Sequence, residues 1–200
     1  MLYVTFLMLI LVGLGNPGEK YKNNRHNVGH LFMDYLIKSL QIPSSKSQAP
    51  NKSQNPNFKL FKTNCYMNVS GIFVKKLTNH YSLTTNHLIV IHDDLDIPLG
   101  KFHIQFTSGP QLHNGLESIE QHLKTKDFWR VRIGVDNRRP KNYLSRTYDQ
   151  DNNKQKWVEG EKYSLQNFLA QEKKILETEI FPKIFEQLKL YLKNQFKIII

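Results

Sequence analysis

The stretch from Leu11 to Gly29, LVGLGNPGEKYKNNRHNVG, concentrates residue types able to do chemistry. Gly13-x-Gly15-x-x-Gly18 after an apolar run has the spacing of a dinucleotide-binding turn, where free N–H groups at a helix start hold a pyrophosphate. That reading requires a helix with an apolar stripe directly after the last glycine. Instead Gly18 leads into Glu-Lys-Tyr-Lys-Asn-Asn-Arg-His-Asn, which has no aliphatic residue, and Pro17 removes an N–H that a phosphate would use. The competing reading is strand, polar loop, helix. It places Asn16 at a strand end, Tyr21 in the loop and His26 just before a helix, where a neutral imidazole takes a proton from water near neutral pH. On its own, a histidine at a helix start more often packs or caps than catalyses.

Other polar residues fall at expected strand ends. Met67-Asn68 follows a strand at 58–63, and Asp93 follows a strand at 88–91. In open α/β sheets, sites gather at such ends. Asn114 opens a helix after a loop and is a candidate to join them. A histidine, a carboxylate and several amides, without a cysteine or serine nucleophile, point to water activation. The carboxylate would orient and polarise the imidazole, while the amides hold water and substrate. Each residue also has a plain alternative: turn or cap for Asn16 and Asn114, cap or ion pair for Asp93, core filler for Met67. His92-Asp93-Asp94 has metal-ligand types, but adjacent strand residues point to opposite faces and no helical histidine pair accompanies them, so no metal is expected.

The elements that must hold these residues are read from hydrophobic periodicity. Met8 to Leu14 reads as a fully buried strand. Val28, Leu31, Phe32, Tyr35, Leu36 and Leu40 then make a helix over about 27–41. Ser70 is expected to cap a helix bearing Ile72, Phe73, Leu77 and Tyr81, and a helix after Asn114 carries Leu116, Ile119 and Leu123. Phe102 to Phe106 reads as a strand. In Trp129 to Val135, alternation sends Val131, Ile133 and Val135 to the core and Arg130 and Arg132 outward. From Ser164 to about Asn194 a long amphipathic helical region is expected. Pro43 to Asn57 and residues 136–158 are polar connections without periodicity. Strands alternating with helices argue for an α/β layer fold.

Two hundred residues fit one domain with an ample core. A net charge of +11 favours an anionic partner, nucleic acid before a membrane surface, although a basic surface without a dedicated use is also common. The single cysteine, Cys65, excludes an internal disulfide, suits a reducing compartment and reads as a small packing residue. The apolar start lacks a basic n-region and is too short to span a bilayer. Residues 1–7 are expected to be an extension from an upstream start codon, since Met8 would itself serve as a start.

Taken together, these segments resemble the bacterial-type peptidyl-tRNA hydrolase family. The matching motifs are Val12-Gly-Leu-Gly-Asn-Pro-Gly18, Tyr21-x-x-x-Arg25-His26-Asn27-x-Gly29, Tyr66-Met67-Asn68-x-Ser70-Gly71, His92-Asp93-Asp94-Leu95-Asp96-x-Pro98-x-Gly100, His113-Asn114-Gly115-Leu116 and Arg130-x-Arg132-Ile133-Gly134. They occur in the family's order over about residues 8–135, with a weaker match from Tyr163 to Ile175. The resemblance implies a single three-layer αβα domain over 1–200 around a mixed, twisted sheet, with variable loops at 43–57 and 136–158. It implies a cytoplasmic, monomeric enzyme that cleaves the ester joining a peptide to the 3′ end of tRNA, recycling tRNA from stalled or aborted translation, with no cofactor. By the same resemblance, His26 is the general base, Asp93 orients it, and Asn16 discriminates N-blocked from free aminoacyl-tRNA. Tyr21, Tyr66, Asn68 and Asn114 contact the acceptor end, with Met67 beside them. Arg132, with a basic residue that falls here on His103, would clamp the tRNA 5′ phosphate. The chain departs from the family in the loop Thr107-Ser-Gly-Pro-Gln-Leu112, which keeps one glycine of a Gly-rich segment, and in Lys62-Thr63, which replaces Lys-Pro. The alternative is a non-catalytic RNA-binding derivative. The joint presence of His26, Asp93 and Asn16 speaks against it, because binding alone needs no base.

Overall fold

The computed structural model describes residues 8–41, 58–110, 112–138, 147–148, 155–156 and 160–199. β1 (Leu9–Gly13) is a run of apolar residues buried on both faces. Leu9 and Leu11 face one core cluster; Ile10 and Val12 face the other. β1 pairs in parallel with β2 (Phe58–Lys62) on one side and β3 (Leu88–Pro98) on the other. β5 (Trp129–Asp136) continues the sheet in parallel, and β4 (Phe102–Phe106) closes it antiparallel, giving the order β2-β1-β3-β5-β4. Parallel strands need crossovers, and helices supply them on both faces. α1 (Val28–Ser39) packs on the first face together with α6 (Phe181–Tyr191). α2 (Ser70–His80) and α3 (Asn114–Leu123) cover the second. The result is the expected three-layer α/β arrangement. β6 (Thr147–Tyr148) and β7 (Gln155–Lys156) form a separate two-stranded ladder. Among the described residues, no helix is long and apolar enough to cross a membrane.

Several local expectations are corrected. The strand expected at 88–91 runs on to Pro98, so Asp93 lies inside β3 rather than past its end. Register with β5 is regular to Asp94 and breaks only between Asp94 and Pro98. Ser70 does not cap α2; it is the first helical residue, and its hydroxyl turns back to Met67 Sδ at 3.9 Å. The buried face of α2 is Ser70, Gly71, Val74 and Thr78, while Ile72 is exposed. The cause is close helix–helix packing: Gly71 N donates to Ser118 Oγ of α3 at 3.0 Å, an approach that small residues permit and Ile72 would block. Arg130 does not face outward. It is fully buried, paired with Glu120 at 2.9 Å and stacked over Phe128. Arg132 is largely withdrawn too. The alternation was sound, but α3 rather than solvent lies on that face of β5.

The long C-terminal helix begins at Ala170, not Ser164. α4 (Gly160–Ser164) stops because residues 166–168 bond sideways to the 23–25 segment: Arg25 N donates to Gln166 O at 3.0 Å and Phe168 N to Asn23 O at 2.9 Å. From α5 (Ala170–Ile175), helical backbone continues to Phe196 through π-type turns at 176–180 and 192–196. The expected extension at 1–7 and connection at 43–57 lie outside the described residues, as does most of 139–159.

α1 seats against the sheet at Gly29. A Cβ placed there would lie 2.5 Å from Ile91 O and 2.6 Å from Leu14 O, which belong to backbone already fixed by the Leu14 N to Ile91 O bond at 2.9 Å. Gly29→Ala must therefore push α1 off the sheet, against a packed core. It is expected to lower unfolding stability by about 2–3 kcal/mol in urea titrations, the cost of overpacking; an unchanged midpoint would mean that α1 is not seated as described.

Candidate active site

The ends of β1 and β3, the turn before α1, the segment before α2, the start of α3, and α4 surround a cavity of about 710 Å³. Seven of the residues singled out from the sequence line it: Asn16, His26, Tyr66, Met67, Asn68, Asp93 and Asn114. Tyr21 is outside the lining but meets Tyr66 edge-on, with ring centroids 6.3 Å apart. Arg132 and His103 are not brought to the cavity. They sit opposite each other across the β5–β4 ladder, His103 exposed. Arg132 donates to Asp94 at 2.7 Å and to Gln105 at 2.8 Å, so its hydrogen-bonded neighbour on β4 is Gln105.

His26 is held in a 3₁₀ turn, Arg25–Asn27, that leads directly into α1. Its Nδ1 lies 2.8 Å and 3.0 Å from the two carboxylate oxygens of Asp93. An ionised carboxylate only accepts, so the proton is on Nδ1 and the Nε2 lone pair is left on the cavity side. Burial pushes the His26 imidazole down. The charge and hydrogen bond of Asp93, with a smaller contribution from Glu161, outweigh it and leave the pKa above its ordinary 6.5. Burial likewise opposes ionisation of Asp93, which is 2% exposed, but the two imidazoles against it hold its carboxyl well below the usual range.

The second imidazole belongs to His113, whose place beside Asp93 the sequence reading did not anticipate. Its Nε2 lies 3.0 Å from Asp93 Oδ1, while its Nδ1 accepts from Gly115 N at 3.1 Å and Leu116 N at 3.2 Å. His113, rather than Asn114, is thus the cap of α3. A nitrogen that accepts two N–H bonds carries no proton, so His113 has its proton on Nε2 and gives it to Asp93. A clue was present in the sequence: a side-chain acceptor directly before Asn-Gly-Leu, at a helix start. His26, Asp93 and His113 offer ligand atoms within 4.8 Å of one another, a grouping that a metal could use. Ligation through His113 Nε2 would move its proton to Nδ1 and set it against the two backbone donors. The donor set therefore suits proton handling better than a metal.

Asn16 is clamped on both sides. Asn27 Oδ1 accepts from Asn16 N and Asn27 Nδ2 donates to Asn16 O, both at 2.9 Å. Asn16 Oδ1 accepts from Met67 N at 2.8 Å. Only Asn16 Nδ2 has no partner among the described residues, and it is the group left for the cavity. Behind His26, Arg25 locks the turn to the C-terminal segment. It donates to Glu172 Oε2 at 2.7 Å and to Asn167 O at 2.8 Å, and stacks on Tyr163. Glu172 also accepts from Leu169 N and Asn137 Nδ2. Nothing in sequence spacing links residues this distant. His92, fully buried, donates Nδ1 to Asp93 O at 2.7 Å; burial and His113 push its pKa far down, so it stays neutral.

A family profile described as "Peptidyl-tRNA hydrolase" matches residues 10–199. A relative of that name from Lawsonia intracellularis is 34% identical over 195 residues, covering 93% of this chain and 88% of its own. One from Kosmotoga olearia is 46% identical over 134 residues, 64% of this chain and 70% of its own. Among solved structures, a peptidyl-tRNA hydrolase crystal structure from Acinetobacter baumannii superposes with a TM-score of 0.74 at 24% identity, covering 94% of this chain and 90% of that one, a likeness of fold.

The geometry of His113 makes a separate expectation. Nitrogen-15 spectra of the histidine rings at neutral pH should show an unprotonated His113 Nδ1 and a protonated Nε2. His113→Ala should cost about 1 kcal/mol through the lost helix cap. A protonated Nδ1 would show that the cap is not formed.

Proposed function

Because the chain belongs to the peptidyl-tRNA hydrolase family, we propose that His26 is the base that activates water for ester cleavage. The enzyme is an ester hydrolase acting on peptidyl-tRNA. The observation that carries the assignment of roles is the His26–Asp93 hydrogen bond, which leaves Nε2 as a proton acceptor on the cavity. Water held at Nε2 gives up its proton as its oxygen attacks the ester carbonyl. The imidazolium that forms is stabilised by Asp93, and collapse of the tetrahedral intermediate releases the 3′ hydroxyl of the tRNA, which takes the proton back. No group beyond these side chains is needed for such a step.

Asn16 Nδ2 is assigned to a carbonyl oxygen of the peptidyl part. An N-blocked residue offers an amide carbonyl there, whereas a free aminoacyl ester offers an ammonium group that a donor cannot bind. Tyr66, exposed and braced by Tyr21, gives a face on which the terminal base stacks. Asn68 and Asn114, both exposed on the cavity wall, supply amides to the ribose and base, and Met67 supports them from beneath. Arg132 and His103 are assigned to the 5′ phosphate. The expected setting is a cytoplasmic monomer that returns tRNA from aborted translation.

His26→Ala is expected to lose about 10²-fold or more in turnover of N-acetyl-aminoacyl-tRNA, with tRNA binding kept; near-normal turnover would refute the assignment. The pH dependence follows from the direction of the His26 shift. The base works only when neutral, so kcat/KM rises with pH through a midpoint above 6.5. Asp93→Asn removes the charge that raises His26 and leaves the burial that lowers it. Its midpoint should therefore move to lower pH while the plateau falls, and an unmoved midpoint would separate Asp93 from His26.

For the phosphate contact, His103→Lys keeps the Arg132–Asp94 pair intact and is the cleaner variant. It should tighten binding of 5′-phosphorylated tRNA most above about pH 7, where histidine has lost its charge. It should also steepen the salt slope by about one unit. No change at high pH would remove His103 from the interface.

A further inference from the structure

The cavity has two unlike banks. On one stand Asn16, Tyr66, Asn68 and Asn114, which are uncharged. The other is built from Leu95 and Asp96 on β3, Arg138 after β5, and Gly160, Glu161, Ser164 and Leu165 on and after α4. Arg138 is paired with Asp136 at 2.7 Å and Asp96 is engaged as well, which leaves Glu161 as the charge that this bank offers a ligand. Glu161 is exposed and its carboxylate has no partner among the described residues. In a chain of net charge +11 that acts on a polyanion, a carboxylate aimed at the substrate repels the phosphates. The nucleotide end of the substrate is therefore excluded from this bank and belongs with Tyr66, Asn68 and Asn114, which leaves the α4 bank to the side chain of the esterified residue while its acylated α-amine faces Asn16. Leu95 and Leu165 offer apolar surface for the stem of a long side chain, and Glu161 stands at the rim for its charged tip.

We propose that Glu161 makes the α4 bank a cation-accepting subsite, so that the enzyme prefers peptidyl-tRNAs whose esterified residue carries a lysine- or arginine-type side chain. The proposal rests on the hydrolase reading above. It is compatible with rejection of free aminoacyl-tRNA, because the α-amino position is governed by Asn16 on the opposite bank, while Glu161 meets the side chain. The field of Glu161 also reaches His26, where it raises the pKa slightly. That effect acts on every substrate alike and cancels in a ratio of rates.

The test uses one tRNA carrying lysine in two forms: acetylated on the α-amine only, or on both amines, so that stem and tRNA are constant and only the charge differs. Single-turnover kcat/KM is measured for the full chain on the pH plateau. The wild type should favour the singly acetylated substrate by about two- to fivefold, the scale of an exposed ion pair. Glu161→Gln should bring the ratio near one, and Glu161→Lys should invert it. Equal rates in the wild type, or a preference that survives Glu161→Gln, would overturn the proposal. Cleavage of neither substrate by the wild type would overturn the hydrolase reading, and the proposal with it. The two failures are thus distinct.

Discussion

The site depends on keeping one carboxylate, Asp93, ionised at 2% exposure inside a β-strand. Burying a charge is costly unless donors surround it. Here the donors are His26 Nδ1 and His113 Nε2, and each is held by a different helix start: the turn before α1 and the cap of α3. The carboxylate thus draws the two helical layers together at the edge of the sheet. In return it fixes the tautomer of each ring. The strand that carries Asp93 has no freedom to relax, because β3 is paired in register on both sides, with β1 up to Ile91 and with β5 up to Asp94.

This arrangement explains why His26 is partly exposed yet firmly held. Arg25, next to His26 in the chain, is anchored to Glu172, Asn167 and Tyr163. The pair Arg25–Glu172 is nearly as buried as Asp93, and removal of one partner in such a pair typically costs about 3–5 kcal/mol. Its consequence for the site is positional: together with the backbone bonds from Arg25 to Gln166 and from Phe168 to Asn23, it fixes α4 and its residues along the cavity. The turn that holds His26 and the α4 wall of the cavity are therefore parts of one hydrogen-bonded unit.

Much of the fold was legible because it rests on local pattern. The apolar run at 8–14, the helix following His26 and the alternation of 129–135 all obey periods of two or near four. What the sequence hid depends on contacts between distant segments. Strand β3 looked as if it ended at Ile91 because His92, Asp93 and Asp94 are polar, yet each is buried and partnered: Asp93 by His26 and His113, Asp94 by Arg132, and His92 by the backbone of the next residue. Arg130 looked exposed because charge usually means surface, and only the position of Glu120 on α3 reverses that. The roles of His26, Asp93 and Asn16 were legible through the family motifs, whereas His113 and Asn27, though in the same motifs, and Glu172 show what they do only as partners in the fold.

The same pairings decide where the positive charge that meets RNA resides. Every arginine among the described residues is matched by a carboxylate: Arg25 by Glu172, Arg130 by Glu120, Arg132 by Asp94 and Arg138 by Asp136. Arginine is the side chain best suited to bidentate phosphate recognition, yet Arg25 and Arg130 are spent on internal geometry, and Arg132, proposed above for the 5′ phosphate, would meet it with its charge already shared with Asp94. The excess of +11 therefore falls mainly to lysines, which act as flexible, hydrated point charges. Such a surface attracts a polyanion strongly and without sequence preference, and its attraction decays with salt. Selectivity on the proposed reading then comes from the cavity, where the amides of Asn16, Asn68 and Asn114 and the carboxylate of Glu161 are the groups offered to the substrate. Long-range capture and local discrimination are thus separated in space and in residue type.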